Sequence, residues 1–417
     1  MFSKPKFFVL VFSAFFVAYA LVGGILERVS ARDDTYRGLR VFTDVLLKIR
    51  QDYVETPDLT KAMRGGVLEM IETLDPYSSF VDADRFQSLE ETDDLNASLG
   101  LVVAKRYGYA YVVSVRDGSE ADRRGFRTAD LIESIDGEAT SQLSLWEVRR
   151  LLLGKPGTSV RLRVIRFRRT APVEIEMTRE ELSLPEVTAR IVEEGIGHLA
   201  IPHFSEGAAR SVSSKLKMLA SSSLRGLIVD LRGSAEGTID QAVQVSDFFL
   251  PKGLKVLTVS NRESEEEAHF SLTEPIVSDI PVILLIDGGT SGAAEVFAGA
   301  LLDHDLAETV GEKTDGKGFL HSTVHLEAGV VLEIATERLY RVNGEPIQVE
   351  KQNDSGIQPV VRSPAPDFVS NFYFQENSAG EENLEDEFYR RLNEAIRQEQ
   401  WEEGMKQVRS RLLEEAA

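Results

Sequence analysis

Apolar residues recur at helical spacing through GLRVFTDVLLKIRQDYV (Gly38–Val54) and AMRGGVLEMIETL (Ala62–Leu74), so residues 34–93 are predicted to be a helical segment. The Asp-Pro pair in LDPYSSF (Leu74–Phe80) breaks that pattern. From Leu99 the chain turns to short apolar runs separated by turn residues: LGLVVAK, YAYVVSV, DLIESIDG and SVRLRVIRF. One helix-like stretch, SLWEVRRLLLG (Ser144–Gly154), interrupts them. Residues 94–180 are therefore expected to form a small, partly open β-barrel. After Pro185, strand and helix patterns alternate, from GHLAIPHF and EGAARSVSSKLKMLA through LRGLIVDLR to PVILLI and GAAEVFAGALLD. That alternation predicts an α/β core with covered faces over residues 185–365. Residues 380–417 read as an amphipathic, charge-laced helix that packs on the body or on a second subunit. The fold class expected is α+β and multidomain.

The first thirty residues change the picture of where the chain works. Phe7–Leu26 is a run of twenty residues without a charge, long enough to span a hydrocarbon core of about 30 Å as a helix. Lys4 and Lys6 precede it and favour a cytoplasmic N-terminus. Ala18-Tyr19-Ala20 is the small-x-small pattern of a cleaved signal peptide, which is the alternative to an inner-membrane anchor. Either way the body is expected to be exported to the cell envelope or periplasm. A net charge of −21, with no Lys/Arg stripe, excludes nucleic acid as a partner. The absence of cysteine excludes disulfides, thiolate metal sites and cysteine nucleophiles.

Six stretches in a fixed order carry a family resemblance. They are GVLEMIETLDPYSSF; SLGLVV followed by VRDGSEADRRGFRTADLIESIDGEAT and VRRLLLGKPGTSVRLRVIR; LIVDLRGSAEGTIDQAVQVSDFFLP; GGTSGAAEVFAGALLDH; VGEKTDGKGFLHS; and ERLYRVNGEPIQ with GIQP. From Tyr36 to about Ser363 the chain resembles the carboxy-terminal processing, or tail-specific, proteases. The resemblance implies a helical N-terminal segment, an embedded PDZ domain and an α/β peptidase-like core. It also implies binding of protein C-terminal tails or unfolded polypeptides, without a cofactor or metal. In a PDZ domain a peptide adds as a strand at a sheet edge and backbone N–H groups capture its carboxylate. Here the matching loop is Ser98-Leu99-Gly100-Leu101, with Leu99, Leu101 and Val148 as candidate walls of the side-chain pocket.

The same resemblance implies a Ser–Lys mechanism, in which a lysine kept neutral by burial takes the serine proton and backbone N–H groups hold the oxyanion. Lys317 in TDGKG matches the family's T-[FY]-G-K-G, with Asp315 in place of the aromatic. His321 stands where a glutamine normally orients the lysine. The family serine lies twenty-five residues before the lysine in G-[ST]-A-S-A-S-E; both that count and alignment on Gly289, Thr290, Ala293 and Glu295 place it at Gly292. The oxyanion loop, D-L-R-x-N-P-G-G in the family, runs here through Gly233, Ser234, Ala235, Glu236 and Gly237. Glu236 is expected to restrict the backbone there and, if turned to the site, to oppose an oxyanion. Asp315 is expected to favour the charged form of Lys317. Four departures aimed at one chemistry imply a degenerate site in a pseudoprotease that binds tails, regulating or scaffolding an active relative.

An alternative stays open. Ser291 in GTSGA is a near match to a G-x-S-x-G elbow, with Lys317, His321, or His304 beside Asp303 and Asp305 as the base of an active endopeptidase. A third reading has the PDZ groove filled by the chain itself. GEKTDGKG (Gly311–Gly318) has P-loop spacing but lacks the Mg²⁺-binding hydroxyl and precedes a strand pattern, so nucleotide binding is not expected. His321, His325 and Glu327 can share a strand face, yet no further ligand cluster joins them. The acid-rich Asn261–Phe270 is read as a solvated loop.

Overall fold

The computed structural model describes residues 36–90, 96–166, 171–181, 183–193, 195–263, 265–349, 354–363 and 382–415. The Phe7–Leu26 run and its anchor assignment lie outside them. Among the described residues no helix is long and apolar enough to cross a membrane. The chain divides into a unit ending at Val67 and a unit beginning at Leu68.

In the first unit, α1 occupies residues 36–52. Helix α2 (Leu59–Glu72) starts beside Asp58, whose Oδ1 accepts from the Lys61 amide at 3.0 Å and so satisfies one free N–H of the first turn.

The second unit takes in the end of α2 from Leu68 and continues with β1 (Ser79–Val81) and α3 (Ala83–Glu90). The segment read as a helix and a break thus contains a strand. A three-residue strand has no periodicity to display, and β1 exists because it pairs antiparallel with a partner some 250 residues on, Ser79 opposite Glu333. Next comes a six-stranded sheet in the order β2 (Leu101–Arg106), β3 (Tyr109–Val115), β4 (Leu131–Ile135), β6 (Ser159–Ile165), β7 (Val173–Thr178), with β5 (Glu138–Ala139) paired to β4 off this path. The short α4 (Glu120–Arg123) follows β3, and α5 (Leu145–Leu152) packs beside β2. A capping box starts α5: Ser144 Oγ accepts from the Glu147 amide at 3.3 Å and Glu147 Oε2 accepts from the Ser144 amide at 2.7 Å.

The core sheet has the order β17 (Val361–Arg362), β14 (Glu308–Gly311), β13 (Val282–Ile286), β10 (Gly226–Asp230), β9 (Ile196–Ala200), β8 (Thr188–Glu193). All its pairings are parallel except β8 with β9. Central β13, VILLI, is buried at every position, as a strand covered on both faces requires. Helices α6 (Ala208–Ala220), α7 (Ile239–Ser246) and α8 (Ala293–Asp303) contribute Val212, Leu216, Val245 and Phe297 to the core with Leu227, Val229 and Leu284. A further sheet runs β1, β16 (Val331–Tyr340), β11 (Lys255–Asn261), β12 (Glu266–Phe270), with β15 (Phe319–His325) also on β16. The acid-rich stretch is therefore a hairpin and not a loop: Asn261 Oδ1 accepts from the Glu263 and Glu265 amides, and β12 is an exposed edge strand whose polar side chains hide its pairing.

Helix α9 (Glu382–Glu415) supplies what the pattern alone left open. Met405 and Val408, with Trp401 and Leu412, cover the sheet face formed by Ile196, Ile228, Ile283, Leu285 and Val310. Gly404 permits this approach, since a Cβ there would fall 2.7 Å from Leu285 Cδ2. The helix's other half reaches the small β domain: Asp386 pairs with Arg166 at 3.0 Å, Asn393 donates to Phe126 O at 3.1 Å, and Arg397 pairs with Asp117 at 2.7 Å. The helix packs on its own body.

Candidate active site and peptide groove

The turns after β10 and β13 lie side by side at the carboxyl ends of parallel strands, where open α/β sheets place ligands. Asp287 Oδ1 accepts from the Gly233 and Gly289 amides, each at 2.9 Å, and the Ser291 amide donates to Ser234 O at 3.0 Å. Gly292 closes the second turn at φ +59°, ψ −110°, outside the regions open to most side chains. A Cβ built on Gly292 would meet one atom within 4 Å, the Cδ of Lys317 at 3.7 Å. Position 292 therefore points at the lysine.

Glu295 explains why the two positions meet. Its carboxylate accepts from the Gly292 amide at 2.8 Å, the Gly316 amide at 2.8 Å and the Lys317 amide at 2.9 Å, with Thr314 Oγ1 as a fourth donor. Burial, and then the charge of Asp315, push Glu295 up to about 7. The folded state thus holds a proton that the unfolded chain has released, so this group's stabilising contribution is present below pH 4.5 and fades as pH rises towards 7. Thr314 and the amides of Gly292 and Gly316 oppose that rise without cancelling it, and we expect wild type to lose about 2 kcal/mol more than Glu295→Gln between pH 4.5 and 7. Urea titrations at stepped pH measure this, and parallel profiles would rule it out.

Ser291 points elsewhere. It is 2% exposed, and its Oγ donates to Asp315 Oδ2 at 2.9 Å. Tyr77 OH also donates to Oδ2, and Arg106 donates to Oδ1 at 2.5 Å. Burial and the neighbouring Asp315 charge hold the Tyr77 phenol well above its ordinary value, so it remains a donor. Lys317 sits with Nζ 4.9 Å from the Tyr77 ring centroid. Its ammonium is weakened by burial and next by Arg149, which outweigh the opposing pull of Asp315, Glu295 and Glu333. Asp315 does favour the charged form, as its position suggests, but burial and Arg149 outweigh it; Asp315 itself is held by Arg106, Tyr77 and Ser291.

The proposed histidine bases are engaged. His321 Nε2 lies 3.0 Å from Asp75 Oδ1. Burial alone would raise Asp75, but bonds from His321 and Ser78 hold it below the usual carboxylate range. His304 Nε2 is 2.7 Å from Lys255 O, and Asp303 is held by Arg341. The eleven-residue α8 separates His304 from the turn by roughly 16 Å of helical rise, so a Ser291–His304 pair does not form.

In the oxyanion loop, Gly233 has φ +72° and Ser234 is fully buried with its amide on Leu231 O at 3.1 Å. Gly237 is required as glycine, because a Cβ would fall 2.3 Å from the Phe204 carbonyl carbon. Ala235 packs towards the small β domain. The Glu236 carboxylate pairs with Arg116 of the small β domain at 2.6 Å.

At the groove, the Ser98 amide donates to Glu180 O at 2.9 Å, and Gly100 adopts φ +84° with its amide 3.3 Å from Ser98 Oγ. Leu99 and Val148 are fully buried among the β-domain core residues, while Leu101 and Val102 are half-buried. Strand β2 is the sheet edge, and at its far end the Lys105 amide donates to Pro76 O at 2.9 Å. The near end opens into a cavity of about 220 Å³ that reaches Gly100, Leu101, Leu153, Arg116 and Glu236. Sequence reasoning missed Asp75, Tyr77, Arg106 and Arg116, which join the site through contacts between distant stretches.

Fold and site together define a serine-type peptidase architecture carrying a PDZ domain. Residues 195–362 match Peptidase family S41, and residues 111–166 match a PDZ domain. A carboxy-terminal-processing protease of Bartonella bacilliformis is 31% identical over 341 residues, 80% of this chain and 77% of that one. The carboxy-terminal processing protease CtpA of Bacillus subtilis is 29% identical over 326 residues, covering 77% and 68%. The photosystem II D1 C-terminal processing protease shares the fold at TM-score 0.63 and 21% identity, over 77% of this chain and 92% of that one. The chain belongs to the carboxy-terminal processing proteases of peptidase family S41.

Proposed function

We propose that this chain captures protein C-terminal tails or unfolded polypeptides through its PDZ domain and has lost peptidase activity, acting as a pseudoprotease that regulates or scaffolds an active relative. One observation carries the reading. The position facing Lys317 has no hydroxyl, while the neighbouring hydroxyl of Ser291 is buried and committed to Asp315. Catalysis tolerates little misplacement of a nucleophile. The unbranched groove end at Ser98–Leu101 supports tail binding, and the Pro76 carbonyl occupies a single amide of the β2 edge. The charge-free run Phe7–Leu26 supports export to the cell envelope, held at the inner membrane or released by cleavage.

The lowered basicity of Lys317 favours one other reading, an endopeptidase using Ser291. Incubation with an unfolded protein ending in apolar residues separates the two. Intact substrate together with saturable binding of its C-terminal peptide is the expected result. Cleavage that disappears in Ser291→Ala would overturn the proposal.

A further inference from the structure

The Arg116–Glu236 pair has a place in the groove that its partners do not explain. Arg116 is rooted at the carboxylate loop, its amide donating to Gly100 O at 2.8 Å. Its guanidinium reaches across the domain boundary to Glu236 at 2.6 Å, and the two side chains are 17% and 40% exposed. Both line the cavity that opens beside Gly100, Leu101 and Val102. Arg232 and Arg397 line the same cavity, but Arg232 is paired with Asp230 at 2.6 Å and Arg397 with Asp117 at 2.7 Å. Asp117, the counterion of Arg397, is more exposed still at 63%, so what singles out Arg116 is its place, bonded through its own amide to Gly100 of the carboxylate loop, together with a counterion that can swing into solvent.

We propose that Glu236 is a built-in competitor for the C-terminal carboxylate of a bound polypeptide, occupying Arg116 until the tail displaces it. This rests on tail capture by the PDZ domain. A carboxylate entering the Ser98–Leu101 loop meets Arg116 one hydrogen bond from Gly100, and the arginine offers a planar fork that fits any carboxylate. Exchange keeps the charge balance, since one carboxylate replaces another on the same guanidinium. The main chain of the loop is not disturbed: Glu236 O stays on the Phe204 amide at 2.7 Å and the Thr238 amide on Phe204 O at 2.9 Å. What a tail changes is the Glu236 side chain, which is released beside the turn that carries Ser234. Tail capture is thereby registered on the peptidase side of the boundary. A half-exposed ion pair is weak, so the competitor sets a threshold without blocking the groove.

The test uses the exported body with a fluorescent decapeptide ending in leucine, as the free acid and as the C-terminal amide. Glu236→Gln is expected to bind the free acid about threefold tighter than wild type, with the amide unchanged. Arg116→Gln is expected to bind the free acid at least tenfold more weakly, again with the amide unchanged. Gain of binding in Glu236→Gln from a wild type that binds nothing would also support the competitor. Free-acid binding to wild type that ignores both substitutions would overturn this inference and leave tail capture standing. Binding by none of the three proteins would overturn both. An effect equal on acid and amide would show that the pair positions the loop and does not meet the carboxylate.

Discussion

On the proposed pseudoprotease reading, Gly292→Ser is expected to gain peptidase activity, cleaving an unfolded substrate at least about a hundredfold faster than wild type. The argument is geometric. The new Cβ has room, with Lys317 Cδ at an ordinary contact distance of 3.7 Å, so the hydroxyl arrives beside the lysine. Glu295 holds the amides of both residues, which fixes their separation before any substrate binds. Burial followed by Arg149 already lowers Lys317, as a general base needs. The cost is backbone strain. A serine at φ +59° destabilises the fold by about 1–3 kcal/mol, so the gain of activity should come with a lower melting temperature. Lys317→Ala in the serine background should return the protein to silence. If Gly292→Ser stays inactive while folded, the fault lies in the oxyanion loop, and Glu236→Gly added to it should then restore cleavage.

The order of elements, and the closeness of position 292 to Lys317, were legible in the sequence for a physical reason. A strand–turn–helix that must place small residues beside a buried carboxylate leaves a local signature, and GGTSGAAE with TDGKG is such a signature. Counting twenty-five residues from Lys317 reached Gly292, and the coordinates bring those two positions together. What was not legible is what distant stretches do to one another. Tyr77 and Arg106 meet Asp315 across 238 and 209 residues, and no local pattern announces such pairings. Glu236 was readable as a departure, but the direction of its carboxylate depends on Arg116 from another domain. The same holds for α9: its charge-laced pattern predicted a helix, while its close packing rests on Gly404, which adds nothing to the amphipathic signal and lets the helix approach Leu285.

Asp315→Ala is expected to cost about 3–5 kcal/mol, because it strands Arg106 without its counterion and removes the acceptor of Tyr77 and Ser291 together. The Asp315 side chain is 1% exposed and that of Arg106 18%, so little water can replace the lost partner. Arg106 also stacks over Tyr111, its guanidinium carbon 4.3 Å from the ring centroid, which keeps it in place when the carboxylate is gone. Removing both charges should be milder: Arg106→Met with Asp315→Asn leaves an acceptor for Tyr77 and Ser291 and no orphaned cation. Its cost should fall well below the sum of the single changes, a coupling that urea titration of a double-mutant cycle reads directly. The location of the pair gives the number a further meaning. Arg106 ends β2 of the PDZ domain, and Asp315 flanks Lys317 in the peptidase core. The pair is therefore a joint between domains as well as a neighbour of Lys317 in the candidate site. Wild type should unfold in one transition, and Asp315→Ala in two, with the PDZ domain separating from the core. A loss below about 1 kcal/mol with a single transition would show that Ser114 on Gly233 O, Arg116 on Glu236 and the bridging helix α9 hold the domains together without it. The large outcome would instead make Asp315 a residue retained for the joint, at the expense of the aromatic that flanks the lysine elsewhere in the family.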